Sequence, residues 1–265
     1  MNVLLMELRR TFISWLSYTV SLAALLVIFM VFFLTFREDA ALLDELLQNF
    51  PIEFRTAFGF ANVDLSQVNG YLSFMAGYVV LIGAVFGMKL GVSLLSEEPR
   101  RKTTDFLLSR PVRREGVFLA KLAAALIECL AQNLVLILTG LIAVPLITGE
   151  YGDAGILSLL LLSTLLVQLF FLGIGQLVAV AFQRIKQVMP IALGVVFFFF
   201  IVEMVNESIL EKALTYLTPF AYFQGSSILD RHGYDPVYLL IDVAVFLGTT
   251  LAAGMIYRTK DLHAV

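Results

Sequence analysis

Groups that could do chemistry inside an apolar environment are scarce in this 265-residue chain. Glu128, Gln132 and Asn133 form the densest set, in one long apolar run. Glu128 and Gln132 are one helical turn apart and share a face. Counted from Val117, Glu128 is about 16 Å into its helix at ~1.5 Å per residue, near the middle of a ~30 Å hydrocarbon core. An ionised carboxylate facing lipid at that depth is costly, so it must be protonated, paired or turned towards water. Two readings follow: a lining for a translocation path, or a polar patch bonded to Gln132 or to a neighbouring helix. Glu203 ends the fifth apolar run, and Asp242 lies a turn or two inside the sixth. The two histidines, His232 and His263, fall outside the runs, so neither a metal site nor a Ser-His-Asp set can form within them. No G-x-x-x-x-G-K-[ST] loop occurs, which removes the usual phosphate cradle. Work done by this chain therefore draws its energy from another polypeptide or from an ion gradient.

The elements that must position these groups are membrane helices. Hydrophobic residues make up 60% of the chain, charged residues only 15%, and the mean hydropathy is +0.90. A soluble domain carries about 25% charged residues. Several uncharged runs reach the ~20 residues a helix needs to cross a bilayer, and solid apolar runs do not suit the alternating strands of a barrel. The fold class is an all-α polytopic membrane protein, a single domain over 1–265 with six spans. They are expected at about Trp15–Phe36, Tyr71–Leu95, Val117–Ile147, Ile156–Phe182, Val188–Val205 and Val237–Tyr257. The uncharged run of the fifth, Gln187–Val202, is short, so it is expected either to stand upright or to continue past Glu203 within a protein-lined setting. The stretch Thr11–Phe36 is too long for a signal-peptide core and is read as retained. Cys129 is the single cysteine, so an internal disulfide is impossible.

Orientation follows from the basic residues. Arg9, Arg10, Arg100, Arg101, Lys102, Arg110, Arg113, Arg114, Lys121, Arg184, Lys186, Arg258 and Lys260 fall on one set of connections, and only Arg37, Arg55, Lys212 and Arg231 on the other. Both termini are therefore expected in the cytoplasm, in a multi-pass chain of a bacterial or archaeal-type cell membrane. Lys89 and Lys121 are expected to snorkel to the nearer interface. The outer connections are acidic, and Pro219, Gly225, Gly233 and Pro236 break residues 206–236 into short pieces.

Residues 97–116, EEPRRKTTDFLLSRPVRREG, are the most charged stretch and lie on the expected cytoplasmic side. The segment RKTTDFLLS can form about two helical turns, with Phe106 and Leu107 or Leu108 projecting from a polar body, and Pro111 stops them. An amphipathic helix held across two spans suits a rigid link to a soluble partner; the alternative is an ordinary positive-inside loop. Gly83, Gly87 and Gly91 recur every four residues on span two, a groove for close helix approach either within the chain or at a seam between two copies. Gln168, Gly173, Gly175 and Gln176 suggest similar packing on span four.

In its order LSEEPRRKTTDFLLSRPVRREGVFLAK, its N-terminal MELRRTFIS and its outer stretch FPIEFRTAFGFANVDLSQVNGYLS, the chain resembles the ABC-2 family of ABC transporter permeases, the six-span membrane subunits of type V-like exporters. The resemblance covers essentially the whole chain. It implies a coupling element formed by Glu97, Glu98, Thr104, Asp105, Phe106, Leu107, Leu108, Arg110, Pro111 and Val112, and an elbow helix over residues 1–14. It also implies a second permease subunit and separate ATPase subunits that use ATP and Mg, with no cofactor on this chain. Two other classes were weighed. A secondary carrier or channel independent of ATP would call for more ionisable residues within the spans. An intramembrane protease suggested by EEPRRK would need histidines within them.

Overall fold

The structure is a computed structural model, and it describes residues 3–39, 45–60, 63–101, 114–150, 152–182, 185–209 and 212–259. Among the described residues it is all helix, with no strand. Six long helices are apolar enough to cross a membrane: α1 (Val3–Glu38), α3 (Val68–Arg101), α4 (Arg114–Thr148), α5 (Ala154–Ala181), α6 (Val188–Ile209) and α10 (Pro236–Thr259). Four short ones lie in the connections: α2 (Ile52–Ala57), α7 (Lys212–Thr215), α8 (Pro219–Tyr222) and α9 (Gly225–Arg231).

Each expected span appears, and each observed helix reaches beyond the uncharged core in at least one direction. The fifth continues through Glu203 to Ile209, because Glu203 is buried against protein there. Residues expected to form an elbow are, from Val3 onward, the uninterrupted beginning of α1, with no break before the span. The residues expected to form the coupling element are of two kinds. Glu97 and Glu98 lie on the last turns of α3; Thr104, Asp105, Phe106, Leu107, Leu108, Arg110, Pro111 and Val112 lie outside the described residues.

Local chemistry sets the helix ends. Asp153 accepts hydrogen bonds from the amides of Gly155 and Ile156 at 2.8 and 3.2 Å, capping α5. Thr218 accepts from the Phe220 amide before Pro219, the first residue of α8. His232 closes α9 in the left-handed region, at φ 54°.

The spans divide into a buried pair and an outer ring. The most apolar windows of α3 and α5 are 78% and 61% buried, against 17–33% for the other four spans. Lipid tails give no hydrophobic drive for helices to associate, so close packing and polar cross-links must hold such a pair. The glycine stripe supplies the packing. A Cβ on Gly87 would sit 2.5 Å from the Gln168 carbonyl oxygen, and one on Gly175 would be 2.7 Å from that of Met88. On Gly91 a Cβ would collide with the Leu172 carbonyl. The groove of Gly83, Gly87 and Gly91 is thus filled by α5 of the same chain. Gly173 takes α10 onto the other side of α5, where a Cβ would collide with Thr249.

Candidate functional site

Polar side chains gather at three levels of this bundle. The level nearest the chain termini is built on α1. Glu7, Arg10, Thr11 and Ser14 recur at helical spacing and turn towards α4 and α3. Glu7 is buried, is paired with Arg10, and lies 3.9 Å from Lys121 Nζ. Lys121 Nζ donates to the Leu94 carbonyl at 2.9 Å. Thr11 donates to Glu128 Oε1, and Trp15 Nε1 donates to the Glu128 carbonyl at 2.9 Å. Lys89 donates to Ser14 Oγ, and its Nζ stands 4.5 Å from the centre of the Tyr18 ring. At the same level Arg258 pairs with Glu115 at 3.2 Å, joining α10 to the start of α4.

Two expectations are corrected here, both for lysines, and of the two bonds open to Glu128 the one to a neighbouring helix is found. Lys121 does not snorkel outward: it is only 3% exposed and bridges α4 to α3 and α1. Lys89 is likewise held inside the bundle. Glu128 is bonded to Thr11 rather than to Gln132, because the side chain turns towards α1, with Lys89 and Arg10 close enough to act on it through space. Glu7, Thr11 and Ser14 of α1 thus supply partners for the charged groups of spans two and three.

At the middle level, Gln168 Nε2 donates to Gln132 Oε1 at 2.9 Å, and Asn133 Nδ2 donates to the Leu161 carbonyl at 2.8 Å. Both bonds tie α4 to α5. Glu128, Gln132 and Asn133 are therefore sealed between helices of one chain and do not converge on one cavity. Gln176 and Asp242 are also fully buried, with side-chain oxygens that have no partner among the described residues.

The third level lies at the end of the bundle away from the termini, where Arg37 pairs with Glu150 at 2.7 Å across the ends of α1 and α4. A cleft open to solvent lies there, with a cavity volume of about 120 Å³. The end of α2, the first turns of α3, the end of α6 and the connection from α8 to α9 frame it. Glu203 and Glu207 of α6 enter it from one wall, and the Gln224 amide reaches both, at 2.5 and 3.1 Å. Ser73 lines the opposite wall, and Phe58, Phe74, Phe200 and Phe223 supply apolar faces. A Cβ on Gly77 would meet nothing within 4 Å, so this residue opens the floor. Tyr222 in α8, buried and pushed up to about 12 by desolvation, donates to the Tyr216 carbonyl at 2.6 Å and fixes the short helices above the spans.

The sequence singles out Glu203 at the end of the fifth apolar run and does not reveal the cleft. Its visible signal was the four-residue spacing of Glu203 and Glu207 at a helix end, next to a Pro- and Gly-broken connection. Among the described residues no group of three or more His, Cys, Asp or Glu could hold a metal ion.

Comparison with known proteins agrees with this architecture. The model of the ABC-2 family transporter proteins matches residues 1–262, nearly the entire chain, and the chain belongs to that family. It is therefore a membrane transport subunit. No curated relative matches it.

Proposed function

We propose that this ABC-2 permease chain is the membrane half of an ATP-driven exporter, moved by separate ATPase subunits that seat on residues 97–116 and paired with a second permease subunit. The observation that carries this reading is the clamp beneath that segment. Lys121, seven residues past Arg114, bonds the Leu94 carbonyl three residues before Glu97. The two stems of the charged connection are thereby tied to each other, and through Glu7 to α1. A push on the connection then moves α3, α4 and α1 together instead of bending one stem. The sequence supports the division of labour, since it holds no phosphate loop and its basic residues concentrate on this side. The ATPase carries ATP and Mg; this chain supplies the path and the lever. The exposed apolar rows of α1, α4, α6 and α10 suit lipid and the second subunit.

Affinity purification of the tagged chain from its native host tests the proposal. Wild type is expected to retain an ATPase subunit. The double substitution Leu107→Asp and Leu108→Asp places charges in an apolar contact, at a cost of roughly a few kcal/mol for each buried site, and is expected to release that subunit while the spans remain inserted. Wild-type recovery of the ATPase with both substitutions in place would refute the seat.

A further inference from the structure

We propose that the cleft at the end of the bundle away from the termini binds an organic ammonium ion with apolar substituents. This deepens the transport reading by naming a cargo class, and it rests on that reading only in calling the ligand cargo. Glu203 and Glu207 stand one turn apart on α6, where like charges repel, and close to a helix C-terminus, whose dipole disfavours anions. Neither carboxylate has an ion pair among the described residues; the Gln224 amide is shared between them, and the Asn206 amide also acts on Glu203.

Two further observations point to a missing ligand. Glu203 is only 7% exposed, yet beyond the neutral amides of Gln224 and Asn206 nothing among the described residues meets its second oxygen, Oε2, at hydrogen-bond distance. Ser73, 4% exposed on the facing wall, likewise has a hydroxyl without a partner. Buried polar atoms left unsatisfied are expensive, so a site that retains two of them on a shared cavity is built for something that enters. The required entrant is positively charged, to compensate two carboxylates. It is also substantially apolar, because Phe58, Phe74 and Phe200 line the space between them. Aromatic faces attract a diffuse organic cation. A bare divalent metal would ask for more oxygen ligands than two carboxylates and a hydroxyl provide.

The probe is benzyltrimethylammonium, titrated calorimetrically into the purified full chain in nanodiscs, with phenylacetate and benzyl alcohol as the anionic and neutral counterparts. Saturable binding of the ammonium alone is expected. Glu203→Gln keeps the shape of the side chain and is expected to weaken binding at least tenfold. Gly77→Leu adds its side chain into open space, so the fold and both carboxylates are kept while the cleft is blocked, and binding is expected to disappear. No saturable binding of the ammonium to wild type, equal binding of benzyl alcohol, or wild-type affinity in either variant would overturn the proposal. A second arm separates the two sources of such a cation. Unchanged affinity when phosphatidylethanolamine joins phosphatidylglycerol in the disc assigns the site to soluble ammonium ions; competition by the amino-lipid assigns it to lipid headgroups, and both uphold the chemistry. Because no ATPase is present, failure here leaves the seat on residues 97–116 untouched, and loss of that seat leaves the binding result standing.

Discussion

The two ends of the bundle treat buried carboxylates in opposite ways. Near the termini, Glu7 lies between Arg10 and Lys121, and Glu128 has Thr11 as a donor to one oxygen, with Glu7, Lys89 and Arg10 all within electrostatic reach. At the far end, Glu203 and Glu207 have only neutral amides, Gln224 for both and Asn206 for Glu203, and line an open cleft. Breaking a buried ion pair is costly because it strands a charge, so the first end is locked: its helices move as a unit. The second end keeps two carboxylates without an ion pair among the described residues, which suits a group that comes and goes. Between them, α3 and α5 touch backbone to backbone along the glycine stripe. Backbone contact this close leaves the pair little room to slide or bend.

Removing the connection between the ends has the largest expected effect. Gly87→Val would force a branched side chain against the Gln168 backbone, which cannot yield as a flexible side chain would. The α3–α5 pair should separate, and the variant should fail to give a monodisperse peak in size-exclusion chromatography. Normal elution and thermal stability for this variant would contradict the stiff contact.

Lys121→Met comes next, and acts on one end only. It removes the bond to Leu94 and a cation beside Glu7, at a cost on the order of 3 kcal/mol. Thermal unfolding should shift down, and transport should fall relative to ATP hydrolysis, while benzyltrimethylammonium affinity stays at the wild-type value. A parallel loss of ligand affinity would mean that the ends are not separable.

The smallest effect belongs to Asp235, at the mouth of α10. The Val237 amide and the Arg231 guanidinium hold its carboxyl below the usual carboxylate range. A lowered folded value means that its contribution is present above the ordinary carboxylate pKa and fades as pH falls through the folded value. Asp235→Ala should therefore unfold slightly earlier than wild type at neutral pH, with the difference narrowing in acid. A difference that grows in acid would reverse the assigned sign.

Much of the frame was legible because hydrocarbon enforces it. Twenty apolar residues in a row leave few options, so all six spans and the acidic, broken connection 206–236 could be read directly. The glycine stripe was legible as a close-packing surface but not as to its partner, since periodicity marks a face without saying what covers it. Charge positions misled for a related reason. Lys89 and Lys121 look free to reach water when each span is considered alone. Their partners, Ser14 and Glu7, belong to the stretch that the family resemblance implied to be an elbow helix. The cleft was hidden for a tertiary reason: Ser73 and Glu203 are 130 residues apart in the sequence and meet only because α6 and α9 both pack on α3.

The proposed division into a driven end and a binding end requires that the two face opposite sides of the membrane. Single cysteines at the exposed positions Glu45 and His232, and at Lys102 for comparison, can be challenged in sealed cells with a membrane-impermeant maleimide. The native Cys129 is fully buried and should stay silent. Positions 45 and 232 should label from outside, and position 102 only after the cells are opened. Labelling of position 102 in intact cells would place the charged connection outside, beyond the reach of any cytoplasmic ATPase.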